Sequence, residues 1–247
     1  MYNNIDDLKS KFDIISKQGW IKSKYYGTGS GGQTFEYLLN KPIENFEIPD
    51  YEGIEIKTKN AIINKYITMF NATPDSAYGI GIKRIKDAYG YPDRKLNDTK
   101  VFNISIFSNT AITIGGKHFF ELKICQNERK IFMYVFDKNM FLIDKTIFWS
   151  FDLLEEKLQR KLQTLAIINT SYKKEGNIVY YKYDDISFYK LRSFDHFISA
   201  IEKGFIRVTF KIGTFKSGKR IGQIHDHGTS FDIHIDNLNC LYEIIET

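Results

Sequence analysis

Helical and strand patterns alternate along this chain of 247 residues, and that mixed order constrains its fold more than any other feature. The first pattern predicts an amphipathic helix ending near Gly19, with an apolar face formed by Ile5, Leu8, Phe12 and Ile15. Strand patterns follow, and helices recur between them. Interleaved elements of both kinds predict an α/β or α+β fold rather than a helical bundle or a β-sandwich.

The other elements are predicted from periodicity and end signals. Helices are predicted at residues 35–39, at 81–88, from a cap at Asp152 through Leu165, and from a cap at Ser193 to a stop at Gly204. Strands are predicted at residues 54–57, 102–107, 119–125, 131–136, 205–215 and 230–235. The region from 102 to 148 predicts an antiparallel meander, and residues 42–50 predict a connector.

Composition limits the functional classes only loosely. The formal net charge of +5 favours a polyanionic partner weakly. Cys125 and Cys240 do not form a C-x-x-C pair, which argues against a disulfide scaffold or a cysteine zinc site. The first residues lack the apolar core of a signal peptide, and no apolar run approaches the roughly 20 residues that span a membrane. We therefore expect a cytoplasmic protein.

The segment from Asp50 to Lys57 is the strongest candidate for a catalytic site. On a strand, side chains two residues apart point the same way. Ile54 and Ile56 would therefore face the core, while Glu55 and Lys57 project together from the opposite face. Asp50 precedes the strand by one turn and can fold back towards that face. Two carboxylates and one ammonium would then meet at one place.

Such a cluster suits phosphodiester hydrolysis. Hard carboxylate oxygens hold Mg²⁺, which neutralises charge on the scissile phosphate and lowers the pKa of a bound water. A lysine beside the metal can orient the attacking water or stabilise the transition state. The alternative is an ordinary edge strand with a solvated glutamate and lysine, since short motifs arise often by chance.

Several motifs together resemble a known family. They are GTGSGGQTFEYLL at residues 27–39, PD at 49–50, IEIKT at 54–58, FWSFD at 148–152 and HDHGT at 225–229. In this combination they resemble the MvaI/BcnI-type restriction endonucleases, relatives of the mismatch-repair nicking enzyme MutH within the PD-(D/E)xK nucleases. The resemblance covers nearly the whole chain.

The resemblance implies an α/β fold with a PD-(D/E)xK restriction-endonuclease-like mixed sheet flanked by helices. It also implies a single nuclease over residues 1–247 whose two lobes form a DNA cleft. The catalytic lobe would occupy roughly residues 1–100. Roughly residues 101–247 would form a β-rich region with long helices and C-terminal DNA-recognition elements.

The same resemblance implies a type II restriction endonuclease that hydrolyses double-stranded DNA with Mg²⁺, for which Mn²⁺ substitutes. Such an enzyme leaves 5′-phosphate and 3′-hydroxyl ends, acts as a monomer that nicks the strands in turn, and operates beside a cognate DNA methyltransferase. Asp50 and Glu55 would be metal ligands and Lys57 the catalytic lysine. Glu36 would be a supporting acid on a helix, although the residues alone equally allow a solvated helix position.

The glycine-rich segment at residues 27–32 lacks the Gly-Lys-Ser/Thr ending of a P-loop, which argues against a nucleoside triphosphatase site. We expect a flexible arm whose backbone amides approach a DNA phosphate or the minor groove, with Thr28 and Ser30 as DNA-binding residues. A simple helix-capping loop is the alternative.

The C-terminal region predicts the DNA-recognition elements. Its cationic or titratable side chains suit contact with phosphates or base edges: Lys211, Lys216, Lys219, Arg220, His225 and His227. A metal site at the His-x-His pair is disfavoured, because no third ligand lies at compact spacing.

Asp232 marks a departure from the family, whose members tend to carry guanine-reading arginines where this chain has Lys211 and Asp232. A carboxylate cannot contact guanine O6 or N7, but it can accept from cytosine N4 or adenine N6. We therefore expect Asp232 to contact DNA and the target to differ from the C·G-flanked sites typical of the family. The alternative is that Asp232 pairs with Lys211 or Arg207.

Three other functions stay open at this point. One is a MutH-like strand-specific nicking endonuclease of mismatch repair. Another is a non-catalytic DNA-binding module on a nuclease fold, which the presence of Asp50, Glu55 and Lys57 disfavours. The third is a basic protein that binds acidic partners without chemistry.

Overall fold

The computed structural model describes residues 2–39, 48–60, 65–75, 81–96 and 98–246. Residues 42–47 of the connector predicted at residues 42–50 lie outside these ranges. The helices within them are α1 (Tyr2–Ser16), α2 (Ser30–Leu38), α3 (Gly81–Tyr89), α4 (Phe151–Lys161) and α5 (Phe194–Glu202), with a 3-10 helix at Ile235–Cys240. None of the helices in the described ranges combines the length and apolar character that crossing a bilayer requires.

The strands in these ranges are β1 (Ile21–Lys22), β2 (Ile54–Lys59), β3 (Tyr66–Asn71), β4 (Tyr91–Pro92), β5 (Lys100–Ile106), β6 (Ile112–Ile114), β7 (His118–Cys125), β8 (Lys130–Phe136), β9 (Leu142–Ser150), β10 (Thr164–Glu175), β11 (Ile178–Leu191), β12 (Ile206–Thr214), β13 (Ile224–Asp226), β14 (Ser230–His234) and β15 (Tyr242–Ile245). Together with the helices they make the mixed α/β architecture that the sequence predicts.

The chain divides into two compact units that alternate along the sequence. Unit 1 comprises Met1–Ile67, Lys157–Ser193 and Ile235–Thr247, and unit 2 comprises Thr68–Glu156 and Phe194–His234. A single boundary near residue 100 was expected, so this division corrects that expectation: residues 101–247 contribute to both units. The physical reason is that β10 pairs with β2 in parallel, and most of the long segment between these two strands, Thr68–Glu156, folds as part of the other unit.

Unit 1 is built on a sheet with the strand order β1-β11-β10-β2, in which β15 also pairs with β11. Helix α1 packs against this sheet and buries its predicted apolar face. The sheet supplies the opposing side of the core through Ile54, Ile56, Ala166, Ile168 and Phe188. The prediction for α1 is confirmed, and the chain leaves the helix through Gly19, whose φ of +70° suits glycine.

Unit 2 contains two sheets. One has the order β3-β14-β12-β5-β4, with β13 also paired to β12, and the other is the meander β6-β7-β8-β9. The antiparallel meander is therefore confirmed from residue 112 onward, but the strand predicted at 102–107 belongs to the other sheet, where β5 pairs with β12. Trp149 is fully buried between the two aromatic rings of Phe210 and Phe231, and its indole donates to Ala72 O at 2.9 Å.

The hairpin β10–β11 is the largest element that the sequence did not predict. Residues Leu165 to Ile168 are all buried, because β10 lies between two neighbouring strands and is covered on both faces. Such a strand shows no alternation and cannot be told from a buried helix by periodicity. Leu165 was accordingly predicted on a helix face, whereas α4 ends at Lys161 and Leu165 lies in β10.

Candidate active site

Glu55 lies at the centre of the candidate site, on strand β2 at the end of the strand order of unit 1. Its side chain is 0% exposed, although β2 is an edge strand. The Lys57 ammonium donates to Glu55 Oε1, so the two side chains lie together as their spacing predicts. The alternative interpretation, a solvated glutamate on an ordinary edge strand, is therefore wrong for Glu55.

Asp50 is brought back to the same strand by a tight turn. Tyr51 and Ile54 exchange backbone hydrogen bonds of 2.8 and 2.7 Å, and the two residues between them, Glu52 and Gly53, have φ of +40° and +88°. Glycine suits the second position because it has no Cβ to clash. The Ile56 N–H then donates to Asp50 Oδ2 at 2.9 Å. This fixes the Asp50 carboxylate beside the strand that carries Glu55.

Lys161 is a second cation at Glu55 that the sequence did not reveal. It is the last residue of α4, and its Nζ lies 3.3 Å from Glu55 Oε1. In the sequence it reads only as a basic residue in the last turn of a helix, where the helix dipole favours positive charge. Nothing in the spacing connects it to a residue more than a hundred positions earlier.

The electrostatics of Glu55 follow from its burial. Burial raises the pKa of the Glu55 carboxyl above its usual range, the ammonium of Lys57 opposes this rise, and the charge of Asp50 adds to it. Both lysines contact Oε1, whereas Oε2 is buried and accepts no hydrogen bond from any residue that the structure describes. One oxygen of this carboxylate is thus oriented by cations, and the other is left for a further partner.

This arrangement fits a small divalent cation. The described ranges contain no cluster of three or more His, Cys, Asp or Glu side chains that could enclose a metal ion. Mg²⁺ does not require such a cage, because it is commonly held by one or two carboxylates, with water and substrate phosphate as the remaining ligands. The unpaired Oε2 of Glu55 and the neighbouring Asp50 carboxylate supply that donor set.

Glu36 lies on α2, close to the end of β2. A Cβ added at Gly32 would meet Thr58 Oγ1 at 3.3 Å and Glu36 Oε1 at 3.8 Å, so both oxygens border the same small space. Gly32 therefore allows the helix to approach the strand that carries the site. Glu36 is half-buried rather than solvated. Its catalytic role stays a prediction.

The glycine-rich segment is shorter as a loop than predicted, because α2 already begins at Ser30. Ser30 is 2% exposed, and its hydroxyl contacts Gly27 O and the Tyr181 hydroxyl, each at 2.8 Å. The prediction that the Ser30 side chain contacts DNA is therefore wrong, because this side chain is buried and forms hydrogen bonds inside unit 1. Thr28 is exposed and lines a cavity of about 390 Å³ that also includes Thr58.

The predicted recognition region of unit 2 is a hairpin formed by β12 and β13. Phe215 and His225 stack within it, with ring centroids 4.1 Å apart and planes at 8°, and the His227 ring lies 4.0 Å from that of His225 with its plane tilted by 45°. The Arg220 guanidinium covers Phe215 at 3.9 Å. Desolvation, then the charges of His227 and Arg220, lower the pKa of His225. Arg220, His225 and His227, which are predicted to bind DNA, are thus brought close together by their contacts with Phe215 and with each other.

The lysines of this hairpin differ in their surroundings. Lys211 is half-buried on β12, and its carbonyl accepts from His227 N at 3.1 Å. Lys216 forms an ion pair with the buried Asp93, which offsets its charge. Lys219 is exposed. Their contacts with DNA stay predictions, and the ion pair makes Lys216 the weakest of the three candidates.

Asp232 does not match its predicted contact with a base. Its side chain is 3% exposed, and its carboxylate accepts from Thr68 and Thr209 at 2.8 Å and from Arg207 Nε at 3.3 Å. Pairing with Arg207, the alternative to base contact, is what the structure shows. Asp232 therefore links strands of the unit 2 sheet through its hydrogen bonds, and the predicted contact of this residue with a base is wrong.

Replacing Asp232 by Ala should destabilise the protein by about 2 kcal/mol, because two hydroxyls and a guanidinium lose a buried acceptor. Urea unfolding measures this loss. Asp232→Asn should recover part of it, since the amide oxygen still accepts. Wild-type stability of Asp232→Ala would contradict the structural role.

The comparisons with known proteins agree with this geometry. A model of the MvaI/BcnI restriction endonuclease family matches residues 9–242. Among solved structures, a complex of restriction endonuclease MvaI with cognate DNA is similar with a TM-score of 0.91 and 30% identity, over 99% of this chain and 98% of that chain. MvaI in the absence of DNA is similar with a TM-score of 0.64, at the same identity and coverage. No curated protein sequence matches.

The family match spans nearly the whole chain, and the likeness to MvaI confirms the predicted mixed α/β nuclease architecture. The chain therefore belongs to the MvaI/BcnI restriction endonuclease family.

Proposed function

We propose that this type II restriction endonuclease hydrolyses phosphodiester bonds of double-stranded DNA by an attack of water that depends on Mg²⁺, for which Mn²⁺ substitutes. The observation that carries this proposal is the meeting of Asp50, Glu55 and Lys57 at one place in unit 1, around a buried carboxylate with an unpaired oxygen. A structural ion pair alone does not need that oxygen.

Asp50 and Glu55 would hold the metal ion. When bound, the ion lowers the pKa of a coordinated water and neutralises charge that develops on the phosphate. Asp50 is held in place by the Ile56 amide, and Glu55 by two ammoniums. Because these contacts exist within the protein, the carboxylates keep their positions without reorganising during the reaction.

Lys57 would orient the attacking water or stabilise the negative charge of the transition state. Its side chain is 25% exposed, so its ammonium touches Glu55 and still reaches solvent. A partly buried ammonium interacts more strongly with a phosphate than a fully solvated one. Glu36 would support the site from α2 as a second acid near the end of β2.

DNA would be contacted through the hairpin of unit 2 and the loop of unit 1. The neighbouring side chains of Arg220, His225 and His227 present donors close together, and Lys211 and Lys219 add positive charge nearby in the sequence. Such contacts make affinity dependent on salt. Thr28 lies in the exposed part of the glycine-rich loop, where backbone amides are accessible to a phosphate.

The remaining parts of the proposal follow from the family. The enzyme would act as a monomer that nicks the strands in turn, leave 5′-phosphate and 3′-hydroxyl ends, and work in the cytoplasm beside a cognate DNA methyltransferase.

Digestion of fully sequenced genomic DNA tests the proposal. With Mg²⁺ we expect fragments whose sequenced ends share one recognition site and carry 5′-phosphates, and with a chelator we expect intact DNA, because the carboxylates lose their metal. Adding Mg²⁺ or Mn²⁺ back should restore cleavage. Nicks confined to one strand would favour the mismatch-repair type of nickase, and cleavage that persists in the chelator would refute the metal dependence.

A further inference from the structure

The turn that leads into β2 is contacted by polar side chains of helix α1. Asn4, Asp7 and Lys11 are spaced by three and four residues, so they share one face of the helix. The Asn4 amide donates to Glu52 O at 3.0 Å. The Lys11 ammonium donates to the Tyr51 hydroxyl, which in turn donates to Asp7 Oδ2. Helix α1 therefore holds both the backbone and a side chain of this turn.

Tyr51 is fixed at its backbone, its ring and its hydroxyl. Its backbone exchanges hydrogen bonds with Ile54, and its ring, 4% exposed, packs in the hydrophobic core of unit 1. The hydroxyl reaches the ion pair of Asp7 and Lys11, whose Oδ2 and Nζ atoms lie 3.1 Å apart. Hydrogen bonds to charged groups are stronger than those between neutral groups. The tyrosine thus links the turn to α1 in one orientation.

The turn needs such support because part of its backbone is unfavourable. Glu52 adopts φ of +40°, in the left-handed region that residues other than glycine rarely adopt. A conformation of this kind persists only where the surrounding structure enforces it, and it clusters at functional sites. Asn4 bonds Glu52 itself, and Asp7 and Lys11 bond the residue before it. The contacts from α1 therefore support the turn where its backbone is least favourable.

The position of Tyr51 sets where the Asp50 carboxylate lies, because Asp50 immediately precedes it in the chain. That carboxylate accepts from the Ile56 N–H at 2.9 Å, beside the strand that carries Glu55. Mg²⁺ requires nearly ideal octahedral geometry with ligands at about 2.0–2.1 Å, so a small displacement of one carboxylate weakens its binding. Groups that hold a metal ligand in place typically change metal affinity by about 10- to 100-fold when they are removed.

We propose that Tyr51 is a positioning residue of the active site. Its hydroxyl, held by Asp7 and Lys11 of α1, fixes the turn that places the Asp50 carboxylate for metal binding. In this role Tyr51 acts through Asp50 and not on the substrate. The inference rests on the proposed function, since Tyr51 has this role only if Asp50 binds a metal ion. It also gives a function to the polar face of α1, whose opposite face is buried in the core.

Tyr51→Phe tests the proposal, because it removes the hydroxyl and keeps the buried ring. Calorimetric titration of the full-length protein with Mn²⁺ should give a dissociation constant about tenfold higher than that of the wild type. Cleavage of genomic DNA should fall most at limiting Mg²⁺ and recover as Mg²⁺ is raised, because the weakened site then fills. A hydroxyl that served the fold alone would lower the urea midpoint and leave Mn²⁺ affinity unchanged, and that result would overturn the proposal.

Asp7→Ala and Asp13→Ala are a matched pair of variants on α1. Each removes one acid, 49% and 46% exposed respectively, from an ion pair with a lysine four residues away. Asp7 accepts from Tyr51, whereas Asp13 pairs with Lys9. We expect Asp7→Ala to weaken Mn²⁺ binding and Asp13→Ala to bind Mn²⁺ as the wild type does. Equal losses in the two variants would overturn the proposal, because the charge of α1 would then account for the effect. A wild-type protein that neither binds Mn²⁺ nor cleaves DNA would instead contradict the proposed function.

Discussion

Replacing Lys57 by Ala should reduce DNA cleavage by about 10²- to 10³-fold or more while leaving DNA binding nearly intact. The ammonium of Lys57 contacts Glu55, and its partly buried position strengthens its effect on a neighbouring phosphate. Binding should survive, because the hairpin that we propose to contact DNA belongs to unit 2. Plasmid cleavage in Mg²⁺ measures the rate, and an electrophoretic shift without Mg²⁺ measures binding.

Lys59→Ala is the matched control for this prediction. Lys59 lies two residues further on β2 and on the same face, so this variant removes an equal charge from the same strand. We expect it to cleave at close to the wild-type rate. If Lys57→Ala also cleaves at the wild-type rate, Lys57 is not the catalytic lysine, and the active site has been assigned wrongly.

Glu55→Gln should reduce the rate of cleavage by about 10³-fold, because an amide is a weak ligand for Mg²⁺. The bound metal stabilises the transition state by several kcal/mol. Glu55→Gln should also remove the metal-induced rise in thermal stability, which for the wild type is expected to be about 2.7 kcal/mol at a metal concentration of about 100 times Kd. Thermal unfolding with and without Mn²⁺ measures this second effect without any catalysis.

The folded state should tolerate this substitution. Burial raises the pKa of Glu55, so the fold holds its charged form at a cost that a neutral amide of the same shape avoids. Glu52→Gln is the control, since Glu52 is an exposed acid in the adjacent turn. A Glu55→Gln protein that still gains stability from Mn²⁺ as the wild type does would show that the metal binds elsewhere.

Part of the candidate site could be predicted from sequence because its geometry is local. Residues two apart on a strand share a face, so Glu55 and Lys57 had to meet once β2 formed. Asp50 precedes β2 by one turn and was expected to fold back towards it, and its carboxylate accepts from the Ile56 amide. These relations span only a few residues and depend on backbone geometry alone.

The corrections concern residues whose role depends on distant partners. Ser30 is buried by its bond to Tyr181, and Asp232 by Thr68, Thr209 and Arg207. Each residue has the polar side chain that a DNA contact would need. Composition cannot distinguish a polar group that faces solvent from one that is satisfied inside the protein.

The amino-acid sequence by itself determined the mixed α/β class, the family, the face of α1 that is buried and the meeting of Asp50, Glu55 and Lys57 at β2, because periodicity and short-range geometry act over a few residues. Only the tertiary structure decided that Glu55 is buried, that Lys161 contacts it, and that the Asp232 carboxylate is buried. The surroundings of Glu55 arise when β2 pairs with β10 and the end of α4 reaches β2 in unit 1. Burial and long-range contacts depend on which segments pack together, and that selection is made by the hydrophobic core of the whole unit.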